Sequence, residues 1–191
     1  SAAEAARAAD EASLASSNGQ SVVNSTVNNI QALAKHKGMD VTDMTACVLD
    51  RPRHEGIIES LRSVGARVAL ITDGDVAGVI ATTNPHTGID LYVGQGGAPE
   101  GVLAAAALKC VGGQMLGRLV FRNDDERKRA ERTGITDFDR TYSLNELASG
   151  DTVFCATGVT DGSMLSGVKS ADGRVHTHTL VMTSLAGMGR Y

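Results

Sequence analysis

Three apolar runs in the first half of the chain each lead into a polar or glycine-rich loop, and each loop opens a segment with helical spacing. The runs are residues 45–49, 67–72 and 89–93, and the helical segments are residues 52–64, 76–81 and 100–110. Strand, loop and helix repeating in this order indicate a mostly parallel sheet flanked by helices. Because residues 67–72 are almost wholly apolar, we expect both faces of that strand to be covered. The pattern predicts an α/β fold with a mixed, mostly parallel sheet.

Further elements are expected on both sides of this repeat. Residues 1–28 are rich in Ala, Ser and Asn and have little to bury, so we expect a flexible N-terminal extension ahead of an α/β lobe over residues 29–191. A capping box at Ser143–Glu146 predicts a short helix. The other expected elements are a helix at 30–36, a charged helix at 123–132 and strands at 117–121, 153–156 and 177–182.

Composition limits the class of partner. The formal net charge is −4 and no long block of Lys and Arg is present, which argues against a nucleic-acid-binding surface. No apolar run approaches the roughly 20 residues that span a bilayer, and no basic stretch followed by an apolar one opens the sequence. We therefore expect a cytoplasmic protein with a small-molecule partner and no membrane association.

The cysteines and two of the histidines are candidate metal ligands. Cys47, Cys110 and Cys155 form an odd, widely separated set within apolar segments, so we expect reduced core residues. His176 and His178 alternate on a predicted strand and share a face, but no third ligand accompanies them. Neither set predicts a metal site.

The first loop presents two arginines from a rigid turn. Pro52 separates Arg51 from Arg53 and occupies the position that a first-turn proline takes in a helix. Two guanidinium groups above a helix N-terminus suit a phosphate dianion. The alternative is that both arginines are surface residues paired with Asp50 or Glu55.

The second loop, Asp73-Gly74-Asp75, places two carboxylates around a glycine at a strand end. The glycine permits a sharp turn and a close approach to a ligand. The carboxylates could accept hydrogen bonds from sugar hydroxyls or coordinate a hard cation. The alternative is an Asx-type turn in which Asp75 caps the following helix.

The third loop, residues 94–101, is glycine-rich and opens an alanine-rich helix. It is not a dinucleotide-binding fingerprint, because Pro99 stands where that motif requires its third glycine. Its backbone amides can face an anion while Glu100 supplies a carboxylate. The alternative is that Glu100 is only a first-turn acid favoured by the helix dipole.

Four motifs, taken in order along the chain, resemble those of the class II fructose-1,6-bisphosphatases, bacterial enzymes of the lithium-sensitive phosphatase superfamily. They are Asp50-Arg51-Pro52-Arg53-His54, Leu70-Ile71-Thr72-Asp73-Gly74-Asp75-Val76, Gly96-Gly97-Ala98-Pro99-Glu100-Gly101-Val102 and residues 156–162. The resemblance covers about residues 29–182. It implies one lobe of an α/β/α/β/α layered sugar-phosphatase sandwich that assembles into a homo-oligomer.

The resemblance also implies an activity and a set of site residues. The expected reaction is Mn²⁺- or Mg²⁺-dependent removal of the 1-phosphate from fructose 1,6-bisphosphate, in gluconeogenesis or the Calvin cycle; some relatives also use sedoheptulose 1,7-bisphosphate. The expected metal ligand is Glu100. The expected substrate-binding residues are Arg51, Pro52, Arg53, Asp73, Gly74, Asp75 and Gly97.

The chain departs from the family before the first matched motif. Family members carry there an acidic Gly-Glu-Gly-Glu-like stretch and an Asp-Pro-x-Asp-Gly-Thr motif, which supply most metal ligands and the residue that positions water. Neither motif occurs in this sequence, so no catalytic residue is assigned. One hypothesis is that the chain is the C-terminal, substrate-binding half of such a phosphatase. The other is a non-catalytic sugar-phosphate-binding or regulatory module.

Overall fold

The structure, a computed structural model, describes residues 24–190. The α-helices in this range are α1 (24–37), α2 (Glu55–Ser63), α3 (Asp75–Ala81), α4 (Ala98–Cys110), α5 (Asp124–Arg132) and α6 (Leu144–Leu147). The strands are β1 (Thr45–Leu49), β2 (Arg67–Ile71), β3 (Leu91–Tyr92), β4 (Leu116–Arg118), β5 (Thr141–Ser143), β6 (Val153–Thr157), β7 (Lys169–Ala171), β8 (Arg174–His176), β9 (Thr179–Thr183) and β10 (Gly187–Arg190). Most of the expected N-terminal extension, residues 1–23, lies outside the described residues.

The three predicted β-α units form a parallel sheet with strand order β2-β1-β3. Leu49 aligns with Ile71, so β1 and β2 end together. Strand β3 is shorter than the predicted run at 89–93. The backbone ladder nevertheless continues beyond it, because the Asp90 amide donates to Thr45 O and the Val93 amide donates to Cys47 O. The predicted α/β class, with a parallel sheet between helices, is confirmed.

One face of this sheet is covered by α1 and α2. A buried cluster joins Ile30 and Ala34 of α1 to Val48 of β1 and Leu61 of α2. Helix α1 includes residues 24–28, which the sequence assigned to the extension, and Thr26 among them is only 2% exposed.

The opposite face of the sheet is covered by α3 and α4, which contact each other. Val79 of α3 packs with Ala104 and Leu108 of α4. The far side of α4 meets a second, antiparallel sheet with strand order β10-β9-β6, through contacts of Ala107 with the buried side chains of β6 and β9. Helices and sheets thus alternate in four layers, as one lobe of a layered α/β sandwich requires.

Several elements after residue 110 differ from the prediction. The expected strand at 117–121 is β4, which pairs antiparallel with β5 in a separate two-stranded sheet and adds no fourth strand to the parallel one. The expected strand at 177–182 is β9, shifted by two residues at its start. Strands β7 and β8 form a hairpin that the sequence pattern did not indicate. The charged helix is confirmed as α5, and the expected short helix is α6, where the Ser143 amide donates to the side chain of Glu146.

Two of the three cysteines lie in the core, as the sequence predicted, and the third does not. Cys47 and Cys110 are buried and reduced, as expected, and burial raises the pKa of each thiol. Cys155 is also reduced but is exposed, so its assignment to the core was wrong. It occupies an outward position of β6, between buried Phe154 and half-buried Ala156. No helix within residues 24–190 is long and apolar enough to cross a bilayer.

Candidate functional site

The loops that follow β1, β2 and β3 meet at the carboxyl edge of the parallel sheet. We call them the arginine loop (residues 50–54), the acidic loop (residues 72–75) and the glycine loop (residues 94–100). Each leads into a helix: the arginine loop into α2, the acidic loop into α3 and the glycine loop into α4. Parallel strands gather such loops at one edge, where ligands commonly bind in open α/β sheets.

Arg51 holds the arginine loop against the acidic loop. Its guanidinium donates to the carbonyl oxygen of Asp50 at 2.8 Å and to that of Thr72 at 2.7 Å. No ion pair in the described part of the chain includes Arg51 or Arg53. The alternative in which these arginines pair with Asp50 or Glu55 is therefore not what the structure shows.

The arginine loop is also bonded to the glycine loop, through Gln95. Arg53 Nε donates to Gln95 O at 3.0 Å. The Gln95 amide donates to His54 Nε2 at 2.9 Å, and His54 Nδ1 lies 2.8 Å from Leu49 O. An accepting Nε2 places the proton of a neutral imidazole on Nδ1, which then donates to Leu49 O. His54 is fully buried and joins the end of β1 to the glycine loop.

The acidic loop turns at a left-handed residue. Gly74 has φ 74° and is the N-cap of α3, without a side-chain capping bond. Asp75 does not cap the helix as the Asx-type alternative proposed; it is the first helical residue, and its Oδ1 accepts from the amide of Val76 at 2.9 Å. Asp73 is exposed on the same loop. The acidic loop therefore carries one outward and one half-buried carboxylate.

Glu100 folds back over the glycine loop. Its Oε2 accepts a hydrogen bond of 2.6 Å from the amide of Gly97, the N-cap of α4. Gly97 has no side chain to return a bond, so only the glutamate half of a capping box is present. A Cβ on Gly97 would lie 2.8 Å from Glu100 Oε2, which explains why glycine suits this position. The sequence left open that Glu100 is a first-turn acid of the helix, and the structure places it in the first turn of α4.

Two carboxylates from different loops converge beside Gly96. A Cβ on that glycine would lie 3.3 Å from Glu100 Oε2 and 3.5 Å from Asp75 Oδ2. These are the oxygen donors that Mg²⁺ and Mn²⁺ prefer, but such ions usually take about six oxygen ligands. Within residues 24–190, no three His, Cys, Asp or Glu side chains come together as a metal site. The described residues therefore offer part of a cation site and do not complete one.

Of the predicted site residues, all lie on these three loops. Arg51 and Arg53 connect the loops, whereas Pro52 is exposed and begins the 3-10 turn that leads into α2. The side chains of Asp75 and Glu100 lie close together beside Gly96, and Asp73 is exposed on the acidic loop.

Two other regions that the sequence singled out lie outside these three loops. In the loop at 156–163, Asp161 Oδ1 accepts a hydrogen bond from the amide of Gly167, so this carboxylate stabilises its own loop. His176 ends β8 and His178 lies beyond it, so their predicted shared strand face was wrong.

Sequence reasoning missed two residues of this site, His54 and Tyr92. His54 is the last residue of the motif Asp50-Arg51-Pro52-Arg53-His54, and the sequence did not indicate a function for it. Tyr92 could have been found from strand periodicity, because Leu91 and Val93 pack into the α1–α2 cluster and leave Tyr92 on the opposite face. Burial raises the pKa of Tyr92 to about 12, with a further contribution from the Asp75 charge.

Comparison with known proteins identifies similar sequences. Residues 14–191 match the family described as bacterial fructose-1,6-bisphosphatase, glpX-encoded. A D-fructose 1,6-bisphosphatase class 2/sedoheptulose 1,7-bisphosphatase from Synechococcus sp. (strain JA-3-3Ab) is 39% identical over 176 residues, which cover 85% of this chain and 51% of the relative. A protein of the same description from Prochlorococcus marinus (strain MIT 9301) is 38% identical over 182 residues, 88% of this chain and 55% of the relative. The chain spans about half the length of the curated relatives it matches.

Proposed function

The chain belongs to the bacterial class II fructose-1,6-bisphosphatase family, and on that premise we propose that it binds the sugar bisphosphate in a phosphatase of this type. The proposed substrate is fructose 1,6-bisphosphate, with sedoheptulose 1,7-bisphosphate as a second candidate because the relatives' descriptions include both. The proposed reaction is hydrolysis of the 1-phosphate. A cytoplasmic setting, a homo-oligomeric state and a role in gluconeogenesis or the Calvin cycle are proposals on the same basis.

The observation that carries this proposal is the bonding of three strand-end loops into one surface. Arg51 connects the arginine and acidic loops, and Arg53 and His54 connect the arginine and glycine loops. These bonds end on backbone atoms, so they hold the loops in place without neutralising the arginine charges. The surface therefore presents two cationic side chains beside glycine amides, which suits an anionic phosphate ester.

Arg53 is the residue best placed to hold a phosphate. Only its Nε is used within the described residues, in the bond to Gln95 O. Its two terminal nitrogens make no hydrogen bond to another described residue, and the side chain is exposed. A guanidinium edge of this kind can donate to two oxygens of one phosphate. We assign Arg51 chiefly to holding the loops, since both of its terminal nitrogens bond to carbonyl oxygens.

The carboxylates suggest where the sugar lies. Asp73 and Asp75 can accept hydrogen bonds from sugar hydroxyls, and Gly97 lets the backbone approach closely. Asp75 and Glu100 could contribute oxygens to a Mn²⁺ or Mg²⁺ ion, whose chemistry in a phosphatase is to polarise the phosphate. A complete metal site would need further ligands beyond those among residues 24–190.

A binding measurement tests the proposal. We expect calorimetric titration of the chain with fructose 1,6-bisphosphate to show saturable binding, and Arg53→Ala to weaken it at least tenfold, because a charge-assisted pair is lost. Arg62→Ala is the matched control, since Arg62 is an exposed arginine on α2 outside the loops. Equal effects of the two substitutions, or no binding by the unsubstituted chain, would refute the proposal.

The non-catalytic hypothesis remains the second candidate. It is favoured by the incomplete donor set beside Gly96, where two carboxylates converge without a third metal-binding side chain among residues 24–190. Both candidates predict sugar-phosphate binding, and they differ in whether the protein that contains this lobe releases phosphate.

A further inference from the structure

Tyr92 stands at the junction of the arginine, acidic and glycine loops. It is the last residue of β3, two positions before the glycine loop begins. Its ring packs on α3, where a Cβ on Gly78 would lie 3.1 Å from the ring atoms Cδ2 and Cε2. The close approach of α3 to the ring depends on that glycine. Tyr92 also packs against the buried cluster that contains Val79 and Leu108, so α3 and α4 confine the ring on this side of the sheet.

The hydroxyl of Tyr92 lies beside the glycine loop and close to the charges of the site. A Cβ on Gly94 would lie 3.2 Å from Tyr92 Oη. The side chains of Asp75 and Arg53 are near enough for their charges to act on the hydroxyl. No hydrogen bond joins Oη to another residue within 24–190, and Tyr92 is only partly buried. The hydroxyl is therefore a donor at the surface where the three loops meet.

We propose that Tyr92 contacts the substrate directly, with Oη donating a hydrogen bond to a phosphate oxygen that Arg53 also holds. The inference rests on the proposed sugar-phosphate binding and adds a residue to it. Arg53 attracts the anion, and the neutral hydroxyl beside it supplies a second donor of fixed direction. Because the hydroxyl stays protonated at physiological pH, it can donate to a phosphate dianion there.

Gly94 has a specific part in this arrangement. A methyl group on Gly94 would lie 3.2 Å from Oη and 3.5 Å from His54 Cε1, and would stand between the hydroxyl and a ligand on the glycine loop. The absence of a side chain at Gly94 leaves the hydroxyl accessible. The proposal therefore predicts that covering the hydroxyl and removing it have similar effects on binding.

The test compares Tyr92→Phe with Tyr142→Phe in calorimetric titrations with fructose 1,6-bisphosphate and with inorganic phosphate. Tyr92→Phe keeps the ring against Gly78, so we expect an unchanged thermal unfolding midpoint and binding of both ligands weakened about tenfold. Tyr142 lies on β5, where its ring stacks under Arg140, and its substitution should leave binding unchanged. Gly94→Ala should weaken binding to a similar degree.

The outcomes separate this inference from the proposed function. If Arg53→Ala weakens binding but Tyr92→Phe binds within twofold of the unsubstituted chain, the role of Tyr92 is refuted and the sugar-phosphate site stands. If Tyr92→Phe weakens fructose 1,6-bisphosphate but not inorganic phosphate, the contact to phosphate is refuted. If the unsubstituted chain binds neither ligand, both the proposed function and this inference fail.

Discussion

Arg51 and Arg53 flank the same proline and carry the same charge, yet their environments differ. Arg51 is half-buried and donates to two carbonyl oxygens, whereas Arg53 is exposed and uses only Nε. The two side chains point in different directions from a fixed turn, so Arg51 reaches across to the acidic loop and Arg53 is exposed to solvent. Equal substitutions at the two positions should therefore act on different properties, loop order at Arg51 and ligand binding at Arg53.

Two glycines around Glu100 give a matched pair for testing the start of α4. A methyl group at Gly97 would meet Glu100 Oε2 at 2.8 Å and displace the carboxylate from the Gly97 amide. At Gly101, which is helical, a methyl group would meet nothing within 4 Å. We expect Gly97→Ala to lower the free energy of unfolding by about 1 kcal/mol and Gly101→Ala to raise it by about 0.5–1 kcal/mol.

Urea denaturation of the two variants checks this expectation. The unsubstituted chain and both variants should unfold with the same dependence on urea concentration, so that midpoints report stability. A shift of the two midpoints in the same direction would contradict the capping role of Glu100, because both substitutions remove the same backbone freedom from the unfolded chain.

At the scale of elements, the sequence predicted the strand and helix boundaries that depend on residues close together in the chain. The bounds of β1 were predicted to the residue, and α5 begins after Asn123, whose Oδ1 accepts from the Glu126 amide at 3.0 Å. The β7–β8 hairpin was missed because its short strands are exposed on every residue and show no apolar alternation. Strand β4 was recognised but misplaced, since its partner β5 is distant in sequence and pairing leaves no local signal.

Helix α6 contains a pH-sensitive cap. The Ser143 amide and hydroxyl donate to Glu146 Oε2 at 2.8 and 2.7 Å, and Arg140 pairs with Oε1. These contacts, the Ser143 amide first, lower the pKa of Glu146 from 4.5 to about 2. A folded-state pKa below the unfolded one gives stabilisation that is complete above about pH 4.5 and lost as the pH falls toward 2.

We therefore expect Glu146→Gln to be less stable than the unsubstituted chain at pH 7, with the difference shrinking between pH 4.5 and 2. Urea midpoints measured across this range would show it. Glu131→Gln, which also removes an exposed glutamate charge from a helix, serves as the control. A Glu146→Gln difference that stays constant with pH would show that the carboxylate charge does not stabilise the cap.

At the scale of the whole molecule, α4 joins α3, which contacts the parallel sheet, to the second sheet. Its alanines let neighbours approach on opposite sides: Ala104 packs toward α3, and Ala107 packs toward β6 and β9. Small side chains permit this because they keep the helix narrow where two layers meet. The same helix begins at the glycine loop, so its packing also holds Glu100 and Gly97 at the site.

The distribution of carboxylates over the molecule leads to a prediction about catalysis. We expect the chain alone, supplied with Mn²⁺, to release phosphate from fructose 1,6-bisphosphate no faster than a buffer control, while still binding the sugar. Two converging carboxylates among residues 24–190 are too few to hold a catalytic divalent ion. A phosphate-release assay checks this. Metal-dependent turnover that Glu100→Gln abolishes and Glu59→Gln leaves intact would contradict it.

The sequence by itself determined the order of the strand–loop–helix units, the loops that form the site and the family, because apolar periodicity, glycines, prolines and capping residues act over short stretches of chain. Tertiary structure alone decided which sheet each strand joined and which atoms meet at the site. The positions of Tyr92 and His54 show why: their roles come from contacts with residues such as Gly78 and Gln95, and such contacts form only when distant segments pack together.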